Sequence, residues 1–293
     1  SALRLASSVG ADRLVVNTHH LAEAMERALD EVHLDTELSV SRETELMDTA
    51  GGIALARDRG LLGERGPVLI INGDGWLNLD LDPLFERMSR SEDLVSLALL
   101  PHLDPLRWSR VILDPAGRVH CIRKPGQPEA NEVPFLYPGV MLVAREALDA
   151  LNVRPSAIHE CLWRPALADQ RLGGVVVSGH WREIGTPADY LAAVMGRLEG
   201  GAPVVHPSAE VHPSASVAGS YLGRGVRIGE RAVVKESVIA EGAVVPERTR
   251  VLRSVLLGDV ALDPGRAVVD AFRAAPPITP ASTCSSRAAT KDG

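Results

Sequence analysis

The chain is 293 residues long and carries 31 Lys and Arg against 38 Asp and Glu, a formal net charge of −7 at pH 7. That acidic balance argues against a surface built for nucleic acid or anionic lipid, and leaves room only for a local basic pocket that holds a phosphate. With 45% hydrophobic, 24% charged and 3% aromatic residues, it is apolar enough to fold, around a core of Leu, Val, Ile and Ala.

No stretch approaches the ~18 uninterrupted apolar residues of a membrane span. Cys121, Cys161 and Cys284 are far apart and lack metal-ligand spacing. A soluble, cytoplasmic protein of a reducing compartment is expected. The first residue is Ser1, directly in an apolar helical pattern, which suggests that residues upstream are missing.

Up to about residue 200, β-branched runs alternate with helical patterns. Strands are expected at 14–17, 37–40 and 68–71, and helices at 21–29 and 52–62. Continuous apolar runs separated by amphipathic segments make βαβ units on a mostly parallel sheet. From 94 to 142 the texture is strand-rich (94–100, 110–113, 119–123, 136–143), as in an antiparallel insertion, and helices return at 157–168 and 187–198.

After Gly200-Gly201-Ala202-Pro203 a different rule holds. Apolar residues recur from Val205, Val211 and Val217 to Val268 in steps of 6, 6 and 5, so three steps make a 17-residue unit. Ser220, Ser237 and Ser254 occupy one place in successive units. Neither a helical nor a two-residue period gives this pattern; a parallel β-helix of hexapeptide repeats does. The expected division is an α/β domain over 1–200, a left-handed β-helix over 203–270 and a disordered tail over 271–293, which is rich in Pro, Ser, Thr and Ala.

Four short segments carry candidate chemistry. Asn72-Gly73-Asp74 follows the most apolar strand, where open α/β sheets bind ligands, and the Asp suits a hard cation such as Mg²⁺. A solvated turn explains it as well. In Asp48-Thr49-Ala50-Gly51-Gly52, Thr49 can cap a helix and Gly51-Gly52 can bare the backbone to a planar base or sugar. Trp181-Arg182-Glu183-Ile184-Gly185-Thr186-Pro187 puts a second carboxylate before a helix-starting turn, and Arg123-Lys124-Pro125 ends a strand with two cations suited to one phosphate.

These pieces, in this order and together with residues 16–21, resemble the sugar-1-phosphate nucleotidylyltransferases over about residues 1–200. The repeats resemble the left-handed β-helix attached to several members. The resemblance implies a Rossmann-like domain that transfers a nucleotidyl group from a nucleoside triphosphate to a sugar 1-phosphate and releases pyrophosphate. Its leading subtype is mannose-1-phosphate guanylyl transfer. By the same resemblance Asp74 and Glu183 bind Mg²⁺, and Lys124 contacts the sugar phosphate. Thr49, Gly51 and Gly52 lie by the nucleobase, while Asn72, Gly73 and Gly139 line the nucleotide and sugar. A homo-oligomer is expected.

Three departures stand out. No Gly-x-Gly-x-Arg pattern precedes Leu14, so the family's first strand and phosphate-binding loop are missing; residues 1–9 match the helix that would follow. Glu183 replaces the usual Asp, and Arg123 the Glu expected before Lys124. The 293 residues as they stand are therefore expected to be catalytically weak. Two other classes compete: a non-catalytic regulatory or scaffold subunit, and an acyltransferase using a His on the β-helix, for which His206 and His212 are poorly placed in the first coil.

Overall fold

Two strands with almost unbroken apolar sequence, Val95–Pro101 and Val140–Val143, anchor the amino-terminal part of the chain. The computed structural model describes residues 2–198 and 201–275. The first elements are α1 (Ala2–Ser8), β1 (Arg13–Thr18), α2 (Ala22–Asp30), β2 (Glu37–Arg42) and α3 (Asp48–Asp58). Then follow β3 (Val68–Ile71), β4 (Gly75–Leu79), α4 (Asp82–Arg90), β5 (Val95–Pro101), β6 (Arg110–Leu113) and β7 (Val119–Arg123). Next come β8 (Pro134–Leu136), β9 (Val140–Val143), α5 (Arg145–Asp149) and α6 (Arg164–Ala168). The last of this series are β10 (Leu172–Val176), β11 (Gly179–Glu183) and α7 (Pro187–Met195).

Seven strands share one sheet in the order β3-β9-β5-β8-β6-β7, with β10 parallel to β5. Side chains alternate across a strand, and here both faces are buried. Val95, Leu97, Leu99, Met141 and Val143 pack on α3, α5 and α6. Ala98, Leu100, Val140 and Leu142 pack on α1 and α4. Ser96 lies within β5 because its hydroxyl donates to Asp93, which pairs with Arg87 at 2.7 Å; a buried polar group needs such a partner. Among the described residues β3 pairs on one side only, with β9, and β1 and β2 form a separate parallel pair.

Three elements differ from expectation. The strand expected over 136–143 is cut into β8 and β9, because Gly139 sits at φ 83° after Pro138 and neither suits a continuous ladder. The helix expected over 157–168 opens with a wide turn at His159–Trp163 before α6. The helix expected from residue 52 begins at Asp48, whose carboxylate accepts the Thr49 N–H at 2.7 Å, so Thr49 lies within the helix and does not cap it.

The division into two compact units falls between Asp189 and Tyr190. In the second, strands pair in parallel with strands 17 residues further on. Val204–Val205 pairs with Tyr221–Leu222, Glu210–Val211 with Arg227–Ile228, and Ser216–Ala218 with Val233–Lys235. The three resulting sheets enclose Leu222, Ile228, Val234, Ile239, Val245, Val251 and Leu256. The chain turns between sheets at Gly219, Glu236, Arg253 and Asp270, 17 residues apart and all at φ 45–50°. Beside them Ser220, Ser237 and Ser254 are fully buried. Each hydroxyl accepts the N–H one unit ahead, at 3.1 Å, and donates to the carbonyl two residues back. Residues 271–275, expected to belong to the tail, are part of the second unit, where Phe272–Ala274 pairs with Val255–Leu257; the rest of the expected tail, 276–293, lies outside the described residues. Among the described residues no helix is long and apolar enough to cross a membrane.

The serine ladder generates a test. Ser237→Ala leaves the Ser254 N–H buried without an acceptor and should cost about 1–3 kcal/mol. Urea denaturation of the wild type and variant measures the difference; Lys235→Ala, at an exposed position, should change little.

Candidate active site

β4 and β11 form an antiparallel pair in which Glu183 stands opposite Gly75, and one step further the Asp74 carbonyl accepts the Ile184 N–H at 2.8 Å. The register thus sets the backbones of two acidic residues more than a hundred positions apart side by side, with Glu183 across from Gly75 and Asp74 one step further on. Gly75 leaves room there for Trp181: a Cβ would come 3.0 Å from the indole nitrogen, which would have to shift by a few tenths of an ångström. Asn72, two residues before Asp74, meets Gly139. The Asn72 N–H donates to the Gly139 carbonyl at 2.8 Å, and a Cβ on Gly139 would lie 2.8 Å from that of Asn72. Asn72, Gly73 and Asp74 are exposed.

The two carboxylates differ in their surroundings. Glu183 accepts from the Arg107 guanidinium at 2.9 Å and from the Trp108 indole N–H at 3.3 Å. Arg107 lies 4.5 Å over the Trp108 ring, which meets Trp181 edge-on at 5.3 Å, both favourable aromatic geometries. Arg107 also reaches Asp189 at 3.4 Å. The Thr186 hydroxyl, and after it Arg107, holds the Asp189 carboxyl below its usual range. None of this was visible in the sequence, since Arg107, Trp108 and Asp189 belong to no motif.

Mg²⁺ takes oxygen ligands and commonly uses one or two carboxylates, with water and substrate phosphate completing its shell. Asp74 and Glu183 fit that donor set. Among the described residues no group of three or more His, Cys, Asp or Glu could hold a metal ion.

Lys124 directly follows β7 and is exposed. It is one of three lysines among the 31 basic residues. Among the described residues its ammonium makes no ion pair, whereas its neighbour Arg123 is bound to Glu132 and Glu129. The turn after Lys124 is tied to the Arg107 segment through the Gly126 N–H, which donates to the Pro105 carbonyl at 2.8 Å.

Thr49, Gly51 and Gly52 occupy another neighbourhood, in the first turns of α3. A Cβ on Gly51 would collide with the Arg154 carbonyl, and one on Gly52 with the Glu43 carboxylate. Both glycines are buried, so the backbone expected to lie bare to a ligand packs there against the protein itself. Glu43, missed by sequence reasoning, is 5% exposed and accepts from Asn17 at 2.8 Å and from the Met47 N–H at 3.1 Å. His206 and His212 bond to Ser208 and Ser214 in the corners of the first coil.

A nucleotidyl transferase family model matches residues 2–200. Mannose-1-phosphate guanylyltransferase 1 of Arabidopsis thaliana is 29% identical over 191 residues, covering 64% of this chain and 52% of that protein. The Drosophila melanogaster mannose-1-phosphate guanylyltransferase catalytic subunit beta is 25% identical over 188 residues, covering 63% and 50%. The chain thus spans about half the length of the curated relatives it matches. HddC from Yersinia pseudotuberculosis shares the fold, with a TM-score of 0.51 at 18% identity over 66% of this chain and 83% of that one.

The Glu132 link allows a pH test. The Glu129 N–H, and after it the Arg123 guanidinium, lowers the Glu132 carboxyl from its ordinary 4.5. A carboxylate depressed by folding stabilises above its unfolded value and loses that contribution as pH falls through the folded one. The stability advantage of wild type over Glu132→Gln in urea should therefore be full above pH 4.5 and shrink on the acid side.

Proposed function

Because the chain belongs to the nucleotidyl transferase family, we propose that it transfers a nucleotidyl group to a sugar 1-phosphate, forming a nucleotide-diphosphate sugar and pyrophosphate. Guanylyl transfer to mannose 1-phosphate is the preferred case, in line with the names of its relatives. The observation that carries the reading is the β4–β11 register that brings Asp74 beside Glu183.

An oxygen of the sugar 1-phosphate attacks the α-phosphorus, the bond to the β-phosphate oxygen breaks, and no side chain becomes covalently attached. Bringing two anions together is then a task of positioning and charge neutralisation. Lys124 offsets the charge of the sugar phosphate; its freedom from any carboxylate supports that role. Asp74 and Glu183 would hold Mg²⁺, which when bound supplies positive charge between the two phosphates. Asn72, Gly73 and Gly139 line the nucleotide and sugar; Gly51 and Gly52, packed against Arg154 and Glu43, serve only to seat α3. The three parallel sheets of the second unit are read as a left-handed β-helix that joins copies of the protein, which acts in the cytoplasm.

The hold of Arg107 on Glu183 favours a second reading, a regulatory subunit that binds a sugar nucleotide without turning it over. A panel of nucleoside triphosphates and sugar 1-phosphates, scored by pyrophosphate release, decides between them. On the first reading Asp74→Asn and Glu183→Gln each lower Mg²⁺-dependent turnover by at least about a hundredfold. Unchanged turnover in both variants overturns the assignment of the carboxylates. Tight sugar-nucleotide binding with no pyrophosphate release, together with a change in the kinetics of a partner enzyme, establishes the second reading.

A further inference from the structure

The most deeply buried guanidinium beside the candidate site belongs to Arg110, the first residue of β6, with 8% of its side chain exposed. It serves a single purpose: holding the turn that carries Lys124. Nε and Nη2 both donate to the Lys124 carbonyl, at 3.3 and 3.2 Å, and Nη1 donates to the Gln127 carbonyl at 2.8 Å. Its counter-ion is Glu132, 10% exposed and 3.4 Å from Nη1. Glu132 in turn accepts from Arg123 and from the Glu129 N–H. Residues 124–133 contain neither helix nor strand, so nothing in a ladder fixes them.

We infer that Arg110 is the positioning residue for Lys124: its fork grips the lysine's own carbonyl and sets where the unpaired ammonium meets a phosphate. Burying a charge is costly unless it is paired and hydrogen-bonded. Arg57 and Arg145 also each reach two backbone carbonyls; what sets Arg110 apart is that one of its two carbonyls belongs to Lys124 itself. The Gly126 N–H bond to Pro105 holds the far side of the turn, so removing Arg110 leaves the connection in place and frees the end that bears Lys124. The inference rests on the phosphate-contact reading of Lys124 given above.

Pyridoxal 5′-phosphate, an aldehyde with a phosphate monoester, followed by borohydride reduction, tests it on the full chain without requiring turnover. With only Lys124, Lys235 and Lys291 present, peptide mass spectrometry separates the sites, and Lys235, paired with Glu236, is the internal reference. In the wild type, Lys124 should label saturably and faster than Lys235, with protection by mannose 1-phosphate and by inorganic phosphate. Arg110→Lys keeps the charge but loses the fork. The double change Arg110→Leu with Glu132→Leu removes both buried charges and guards against misfolding. In both, the Lys124-to-Lys235 labelling ratio should fall at least about tenfold and protection should vanish, with the melting transition retained. Wild-type labelling and protection in both variants would overturn the inference. If wild-type Lys124 reacts no faster than Lys235 and phosphate gives no protection, the phosphate-contact reading itself fails and this inference with it.

Discussion

The antiparallel ladder from Gly179 opposite Leu79 to Glu183 opposite Gly75 is the constraint on which the site depends. It is short, and it lies outside the seven-stranded sheet, yet it alone brings the turn after β3 against the turn before α7. The large sheet supplies rigidity from one side through β3 and α4. The ladder converts that rigidity into a fixed relation between two acidic residues from distant parts of the chain. A one-residue slip would send Glu183 to the opposite face. The close fit of Trp181 over Gly75 opposes such a slip.

Around this ladder the charges are arranged unequally. Arginines are tied up: Arg107 with Glu183 and Asp189, Arg110 and Arg123 with Glu132. Among the described residues Lys124 has no carboxylate partner. In an acidic chain that is an efficient way to present one cation, since the arginine forks lock their partners in fixed geometry while the flexible ammonium stays available. The same pattern gives the connection between β5 and β6 a double role, for it carries Arg107 to the carboxylate rim and Pro105 to the lysine turn.

What could be read in the sequence follows from the range of the interactions. The 17-residue repeat was legible to the residue because each unit meets its own copy and every bond repeats. The apolar runs of β3 and β5 were legible because strands covered on both faces, half-buried in β3 and fully buried in β5, leave no polar alternation. The motifs around Asp74, Lys124 and Glu183 stood out as short patterns. Arg107, Arg110, Glu132 and Glu43 did not: each acts through a partner that only the tertiary fold brings near, and arginine is too common here for any one to attract notice. Gly51 and Gly52 show the converse case. Their small size was evident, but whether it admitted a ligand or the Arg154 carbonyl depended on a segment a hundred residues away. The break at Gly139 was hidden within an apolar run, since hydrophobicity says nothing of a left-handed φ.

The buried hydroxyl column formed by Ser220, Ser237 and Ser254 sets a rule for how this half of the molecule tolerates change in length. Each hydroxyl reaches forward by one full unit, so a duplicated or deleted block of 17 residues would reproduce the same contacts at the new junction. A block that is not a whole multiple of 17 residues would offset all three walls together and strand hydroxyls opposite valines. Lengthening by whole steps, like adding a stair to a spiral staircase, is the growth path that this arrangement leaves open.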